Sequence, residues 1–169
     1  MTITHEKKWY AVYTNPRAEK KTYKALSDIG VETYLPLQTT LKQWSDRKKK
    51  VEEPLFKSYL FVNINYEKEF LTVLQTKGVV KFVKIGNEIP PIRHEIIQAI
   101  QLALAHYENI SVTNIDFKTN ERVKVVGGAL TGYIGTIVSK NGNTYFSIAI
   151  EELGSQLAIK IPIQYLQKI

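Results

Sequence analysis

The chain has 169 residues, enough for one compact domain or two small ones and too few for a large multidomain enzyme. Its 44% hydrophobic and 23% charged residues are an ordinary globular composition, which excludes a disordered chain. A formal charge of +7 makes a polyanionic partner plausible, while the absence of cysteine removes disulfides, thiolate nucleophiles and Cys-based zinc sites together.

The basic excess is mainly N-terminal, since residues 1–110 hold 17 basic and 12 acidic side chains and residues 111–169 hold 6 and 4. His5, His94 and His106 are isolated and show no metal-ligand spacing, so neither a metal nor another cofactor is expected. No window approaches the roughly 18 apolar residues of a membrane span, and MTITHEKKWYAVY lacks the apolar stretch of a secretion signal. A cytoplasmic protein is expected.

Lys8–Tyr13 is rich in aromatic and β-preferring residues and predicts a strand. Asn15 as cap and Pro16 at the first helical position then predict a helix with Ala18, Ala25, Leu26 and Ile29 on its apolar face, stopped by Gly30. Val31–Leu37 reads as a strand. Thr39–Trp44 and Val51–Leu55 read as a hairpin whose exposed tip carries Ser45, Asp46, Arg47 and three lysines. Tyr59–Ile64 predicts a strand, Tyr66–Gln75 a short helix, and Val79–Ile85 a strand closed by Gly86-Asn87. After Pro90-Pro91, Ile96, Ile97, Ile100, Ala103, Leu104 and Tyr107 share one face of an amphipathic helix that ends a first domain at residue 107.

Residues 108–120, with little periodicity and several Asn and Thr, are the expected linker. Beyond them Arg122–Val126, Gly135–Ser139, Thr144–Ile150, Leu157–Ile161 and Tyr165–Ile169 are short apolar runs separated by glycine and asparagine turns. Residues 121–169 therefore predict a small closed β-barrel, and the fold class is α+β: a helix-flanked antiparallel sheet followed by an all-β domain.

Two stretches carry a family resemblance. WYAVYTNPRAEKKTYKAL, EEPLFKSYLFVNI and GVVKFVKIGNEIPPIRHEII resemble the N-terminal (NGN) domain of the NusG family of transcription elongation factors. ERVKVVGGALTGYIGTIV resembles the family's KOW motif, in which Gly127, Gly128, Gly132 and Gly135 would serve turns and close backbone approaches. The resemblance spans roughly residues 7–169, and EPLFKSYLFV is closer to operon-specific antiterminators of the RfaH and UpxY kind, such as those of polysaccharide biosynthesis operons, than to the general factor.

What the resemblance implies is docking on the clamp helices of the RNA polymerase largest subunit. Phe56, Tyr59 and Phe61 would line the receiving hydrophobic depression, with Trp9, Tyr10 and Ile97 nearby. Alternation along the strand puts Tyr59 and Phe61 on one face and Leu60 and Val62 on the other, so that one set is expected to be core and the other accessible. Arg17, Lys20, Lys21 and Lys24 form a cationic helix strip which, with Thr76 and Lys77, would contact exposed non-template DNA. Arg47, Lys48, Lys49 and Lys50 would add phosphate contacts. Ala25 stands where the RfaH-like pattern carries a histidine, a departure in the DNA-reading set. In the KOW block Leu130, Tyr133 and Ile134 match positions that meet a ribosomal small-subunit protein or Rho. Against each reading stands a structural one: strand alternation that fills a core, a solvated lysine face, and packing within a very small barrel.

The β-branched and aromatic residues of 120–169 favour strands over the helical hairpin that the RfaH kind adopts. No phosphate-cradling loop, GxSxG or HExxH is present, and Glu52-Glu53 and Glu151-Glu152 are adjacent residues that would face opposite sides of a strand, so no enzyme is expected. The alternatives are a general NusG-type elongation factor and a ribosome-associated KOW protein that binds RNA.

Overall fold

Alternating large apolar residues at the start of the chain form a strand with two buried faces, and the rest of the first unit assembles around it. The computed structural model describes residues 6–115 and 121–169. It divides into two compact units, Met1–His94 and Glu95–Ile169. His5 and the last part of the expected linker, 116–120, lie outside the described residues.

In the first unit, β1 (Lys8–Thr14) is followed by α1 (Glu19–Asp28), β2 (Glu32–Tyr34), β3 (Leu37–Gln43), β4 (Lys48–Pro54), β5 (Tyr59–Ile64), α2 (Tyr66–Leu74) and β6 (Val79–Phe82). Four strands make an antiparallel sheet in the order β2-β5-β1-β6. β1 runs along β5 from Lys8 opposite Ile64 to Tyr13 opposite Tyr59. One sheet face contributes Tyr10, Val12, Leu60, Val62 and Ile64 to a core completed by Leu26 of α1, Val73 of α2 and Phe82 of β6. Burying these side chains stabilises the unit by about 1.5–3 kcal/mol for each large one.

The first helix starts later than its sequence predicts. Asn15 does not cap it: Arg17 sits at φ 61° in the left-handed region, and Ala18 N–H donates to the Asn15 carbonyl in a turn that precedes Glu19. The buried stripe is therefore Glu19, Thr22 and Leu26, and Ile29 is exposed. α2 is capped by Asn65, whose side chain accepts from Lys68 N–H, while Glu69 accepts from Asn65 N–H. The hairpin also differs from expectation. Lys48, Lys49 and Lys50 are not at its tip but paired opposite Gln43, Lys42 and Leu41, leaving Trp44, Ser45, Asp46 and Arg47 as the turn.

From Glu95 onward α3 (His94–His106) lies in the second unit, and its Ile96, Ile97, Ala99, Ile100 and Ala103 are buried. The division falls after His94, the first residue of this helix. Then come β7 (Ser111–Asn114), β8 (Arg122–Val125), β9 (Ile134–Lys140), β10 (Asn143–Ile150), β11 (Ser155–Ile159) and β12 (Leu166–Lys168). They form one sheet in the order β12-β8-β9-β10-β11-β7. A 3-10 turn at Ile163–Tyr165 brings the chain from β11 to β12 and so to the opposite end of the sheet. The strands enclose Val123, Val125, Phe146, Ile150, Leu157 and Ile159. The strand content agrees with the propensity argument against a helical hairpin.

β7 lies inside the segment expected to be linker. Its backbone pairs with β11 from Ser111 opposite Ala158 to Asn114 opposite Ser155, and Gln156 Nε2 donates to Thr113 Oγ1. A four-residue edge strand with one apolar residue, Val112, has almost no hydrophobic alternation, which is why composition reads it as a connection. Gly135 of β9 behaves as the KOW block predicts: a Cβ there would collide with the Ser147 carbonyl and meet the Phe146 ring at 2.7 Å.

Candidate partner and nucleic-acid interfaces

The second face of the first unit's sheet carries a row of rings. Phe56 packs edge-on to Phe61 at 5.6 Å between centroids, and Tyr34 lies nearly parallel to Phe61 at 6.4 Å. Tyr13 and Tyr59, opposite each other on β1 and β5, lie 4.7 Å apart, and the Lys81 ammonium stands 5.3 Å over the Tyr13 ring. Such pairs add about 0.5–1.5 kcal/mol beyond their burial. Burial pushes the Tyr34 hydroxyl up to about 12; burial, then the hydrogen bond with Tyr13, does the same for Tyr59.

Only part of the expected docking set shares this face. Tyr10 points the other way, into the core against Tyr66 and Phe82. Phe61 is as fully buried as Leu60 on the other side, so both faces are covered at this position and the expected division into core and accessible sets fails for it. Phe56 and Trp9 are buried as well, and Ile97 is fully buried on α3, within the second unit. Tyr59, with Tyr13 beside it, is only partly covered.

The cationic residues converge more closely. Arg17, Lys20, Lys21 and Lys24 are all exposed along the first turns of α1 and the loop before it. Asn15 N–H donates to the Gly78 carbonyl at 3.0 Å, which seats the Thr76–Gly78 turn beside this helix start. Gly78 makes that approach possible. It has φ +99°, and a Cβ would strike the Thr22 side chain, whose own Cβ would be 3.2 Å away. Lys77 is thereby exposed alongside the strip, whereas Thr76 Oγ1 is engaged by the Thr72 carbonyl.

The ribbon β3–β4 reaches the same side. Lys20 Nζ donates to the Glu52 carbonyl at 2.9 Å, tying α1 to β4. Two other pairs damp the charge locally, Lys24 with Asp28 and Lys42 with Glu53. Exposed pairs of this kind contribute only about 0–1 kcal/mol and leave the positive field largely intact.

Two residues to which the sequence reading gave no site role matter here. Glu19 is 7% exposed and its Oε1 accepts the Ser58 N–H at 2.9 Å, with Ser58 itself at φ 63°. That bond fixes the turn that delivers Phe56 and Tyr59, and the buried carboxylate on a helix start gave no sign of it in sequence. The other is Trp44, exposed at the ribbon tip.

In the second unit the KOW positions separate. Leu130 is fully buried, so packing claims it; Tyr133 is half-buried and Ile134 is 49% exposed at the start of β9. Burial, followed by the charge of Glu95, raises the Tyr133 hydroxyl above its ordinary range. Among the described residues no group of acidic or histidine side chains has the geometry of a metal site, and no helix is long and apolar enough to cross a membrane.

Residues 7–101 match the family model described as NusG, "Transcription termination factor nusG". The chain is 24% identical to the transcription termination/antitermination protein NusG of Lactococcus lactis over 99% of its length and 96% of that protein's. It is 25% identical to the same-named protein of Halalkalibacterium halodurans, covering 97% of this chain and 99% of the other. A solved structure of Thermotoga maritima NusG, titled for its domain interaction, superposes with a TM-score of 0.58 at 22% identity and covers 97% of this chain and 98% of that one. The fold is thus shared along both units.

Proposed function

The chain belongs to the NusG family of transcription factors, which are not enzymes, and on that premise we propose that it is an operon-specific antitermination factor acting on elongating RNA polymerase. The first unit would grip the clamp helices of the polymerase largest subunit. The observation that carries this reading is the aromatic row on the second sheet face, where Tyr59 and Tyr13 remain partly accessible beside buried Phe56 and Phe61. Two tyrosines packed at a tilt and hydrogen-bonded to each other present apolar area with few rotamers left to freeze, which suits an interface anchor.

Antitermination then follows from differential binding. A factor that prefers the closed, elongating polymerase shifts the population toward it by about 1.4 kcal/mol for each tenfold preference over the paused state, and no catalytic group is needed. The strip Arg17, Lys20, Lys21 and Lys24, with Lys77, supports contact with exposed non-template DNA. The ribbon residues Arg47–Lys50 support further phosphate contacts. Tyr133 and Ile134 of the second unit are left to meet a ribosomal protein or Rho.

The test is single-round transcription in vitro across a strong pause, with and without the full chain. Shortened pause lifetimes and increased read-through support the reading; unchanged pausing at saturating protein refutes it. Polymerase occupancy mapped across the genome separates one-operon action from the general elongation role.

A further inference from the structure

The β3–β4 ribbon has no core of its own. Residues 41–50 are exposed without exception, and the ribbon is a two-stranded sheet separate from the main one. Isolated two-stranded ribbons are only marginally stable. This one nevertheless places Lys42 directly opposite Lys49 and ranges Lys48 and Lys50 on the other face, opposite Gln43 and Leu41. Like charges directly across a ladder destabilise it. At the end, the turn closed by Trp44 N–H to the Arg47 carbonyl holds an indole that is 53% exposed, with the Lys49 ammonium 5.9 Å over its ring.

Leu37 at the base packs against the first unit's core and Glu53 pairs with Lys42, but the outer part, residues 41–50, covers nothing and costs stability, which fits a partner that is both anionic and flat. Phosphates satisfy the lysines on both faces, and the face of an unstacked base satisfies the indole, whose flank already carries a cation. In a duplex each base face is occupied by its neighbour, so the ring selects an unpaired strand.

We infer that the β3–β4 ribbon is a single-stranded nucleic-acid-binding arm, with Trp44 stacking on a base and Lys42, Arg47, Lys48, Lys49 and Lys50 neutralising the flanking phosphates. The inference deepens the nucleic-acid contact of the proposed function and rests on that reading for its setting, but the binding itself needs no polymerase.

The test uses the full chain with 12-nucleotide DNA and RNA single strands and a 12-base-pair duplex. The chain has two tryptophans, and Trp9 is buried, so Trp44 dominates any change in emission on binding. Single strands are expected to quench emission in the natural protein and not in Trp44→Phe. Trp44→Ala should weaken single-strand binding at least fivefold with Trp44→Phe restoring most of it. Lys42→Gln with Lys49→Gln should lower the log–log salt slope by about 1.4, two phosphates at about 0.7 each. Whichever of DNA or RNA binds more tightly identifies the strand the arm takes. Unquenched emission, unchanged affinity of Trp44→Ala, or tighter binding of the duplex would overturn the arm. Should Trp44→Ala bind normally while charge reversal at Lys20 and Lys21 abolishes binding, the helix strip stands and the ribbon arm falls.

Discussion

Removing the Glu19 carboxylate should loosen the turn that presents the aromatic face. Glu19 opens α1, is almost fully buried, and accepts the Ser58 N–H at 2.9 Å, while the Ser58 carbonyl accepts from Thr14 N–H at 2.9 Å. The turn is therefore held from both sides, and Ser58 keeps its positive φ because both bonds persist. In Glu19→Ala the N–H loses its partner. A hydrogen bond to a charged group contributes about 1.5–3 kcal/mol, and a carboxylate at a helix N-terminus about 0.3–1 kcal/mol more. Better helix propensity of alanine returns about 0.5 kcal/mol, so the expected net loss is about 2–3 kcal/mol. With a urea dependence of about 1–3 kcal/mol per molar, the unfolding midpoint should fall by about 1–2 M, read from the emission of buried Trp9. Glu19→Gln keeps an acceptor without the charge and should lose about half as much. A Glu19→Ala midpoint equivalent to a loss under about 0.5 kcal/mol would refute the reasoning, because losing a partly buried hydrogen bond to a charged acceptor cannot be that cheap.

Gly78→Ala should destabilise the first unit by about 2–4 kcal/mol in the same assay, combining a left-handed backbone with a collision against the buried Thr22 side chain; a neutral effect would contradict that geometry. Charge reversal at Lys20 and Lys21 together should weaken binding to a paused transcription complex and lower its salt slope by about 1.4, measured by titration from low to moderate salt; an unchanged slope would reduce the strip to a solvating face. Tyr34 and Tyr59 have folded pKa values of about 12 against the ordinary 10.0, so the stability they contribute is fully present below pH 10.0 and lost as pH rises through about 12. Tyr34→Phe should flatten part of that alkaline decline in chemical denaturation, and an identical slope would contradict burial as the cause.

Much of the fold is written in local pattern. β5 runs over the same residues its alternating apolar run predicts, and α3 follows the spacing of Ile96, Ile97, Ile100 and Ala103. What pattern cannot carry is a backbone set by distant partners. The late start of α1 comes from Arg17 in the left-handed region, and β7 exists because β11 offers an edge to four residues of which only Val112 is apolar. The same holds for the interfaces. Residue type located the cationic strip, because exposed lysines on a helix need no tertiary knowledge. It misplaced Tyr10 and overestimated the exposure of Phe61, because period-2 alternation names the two faces of a strand without saying that both are covered. Lys48–Lys50 looked like a loop because lysine runs are poor strand formers, yet cross-strand pairing with Leu41–Gln43 sets their register.

The account rests on the first unit holding RNA polymerase during elongation, and Tyr59 is the residue on which to measure it, since it is partly covered and its truncation leaves the buried rings in place. The full chain and Tyr59→Ala should be titrated against a reconstituted elongation complex at low salt, with folding of both verified by circular dichroism. The expected result is saturable binding by the natural protein and at least tenfold weaker binding by the variant, about 1.4 kcal/mol. No association of the folded natural protein with the elongation complex would contradict the proposed function outright, and equal binding by Tyr59→Ala would remove the aromatic row as the gripping surface.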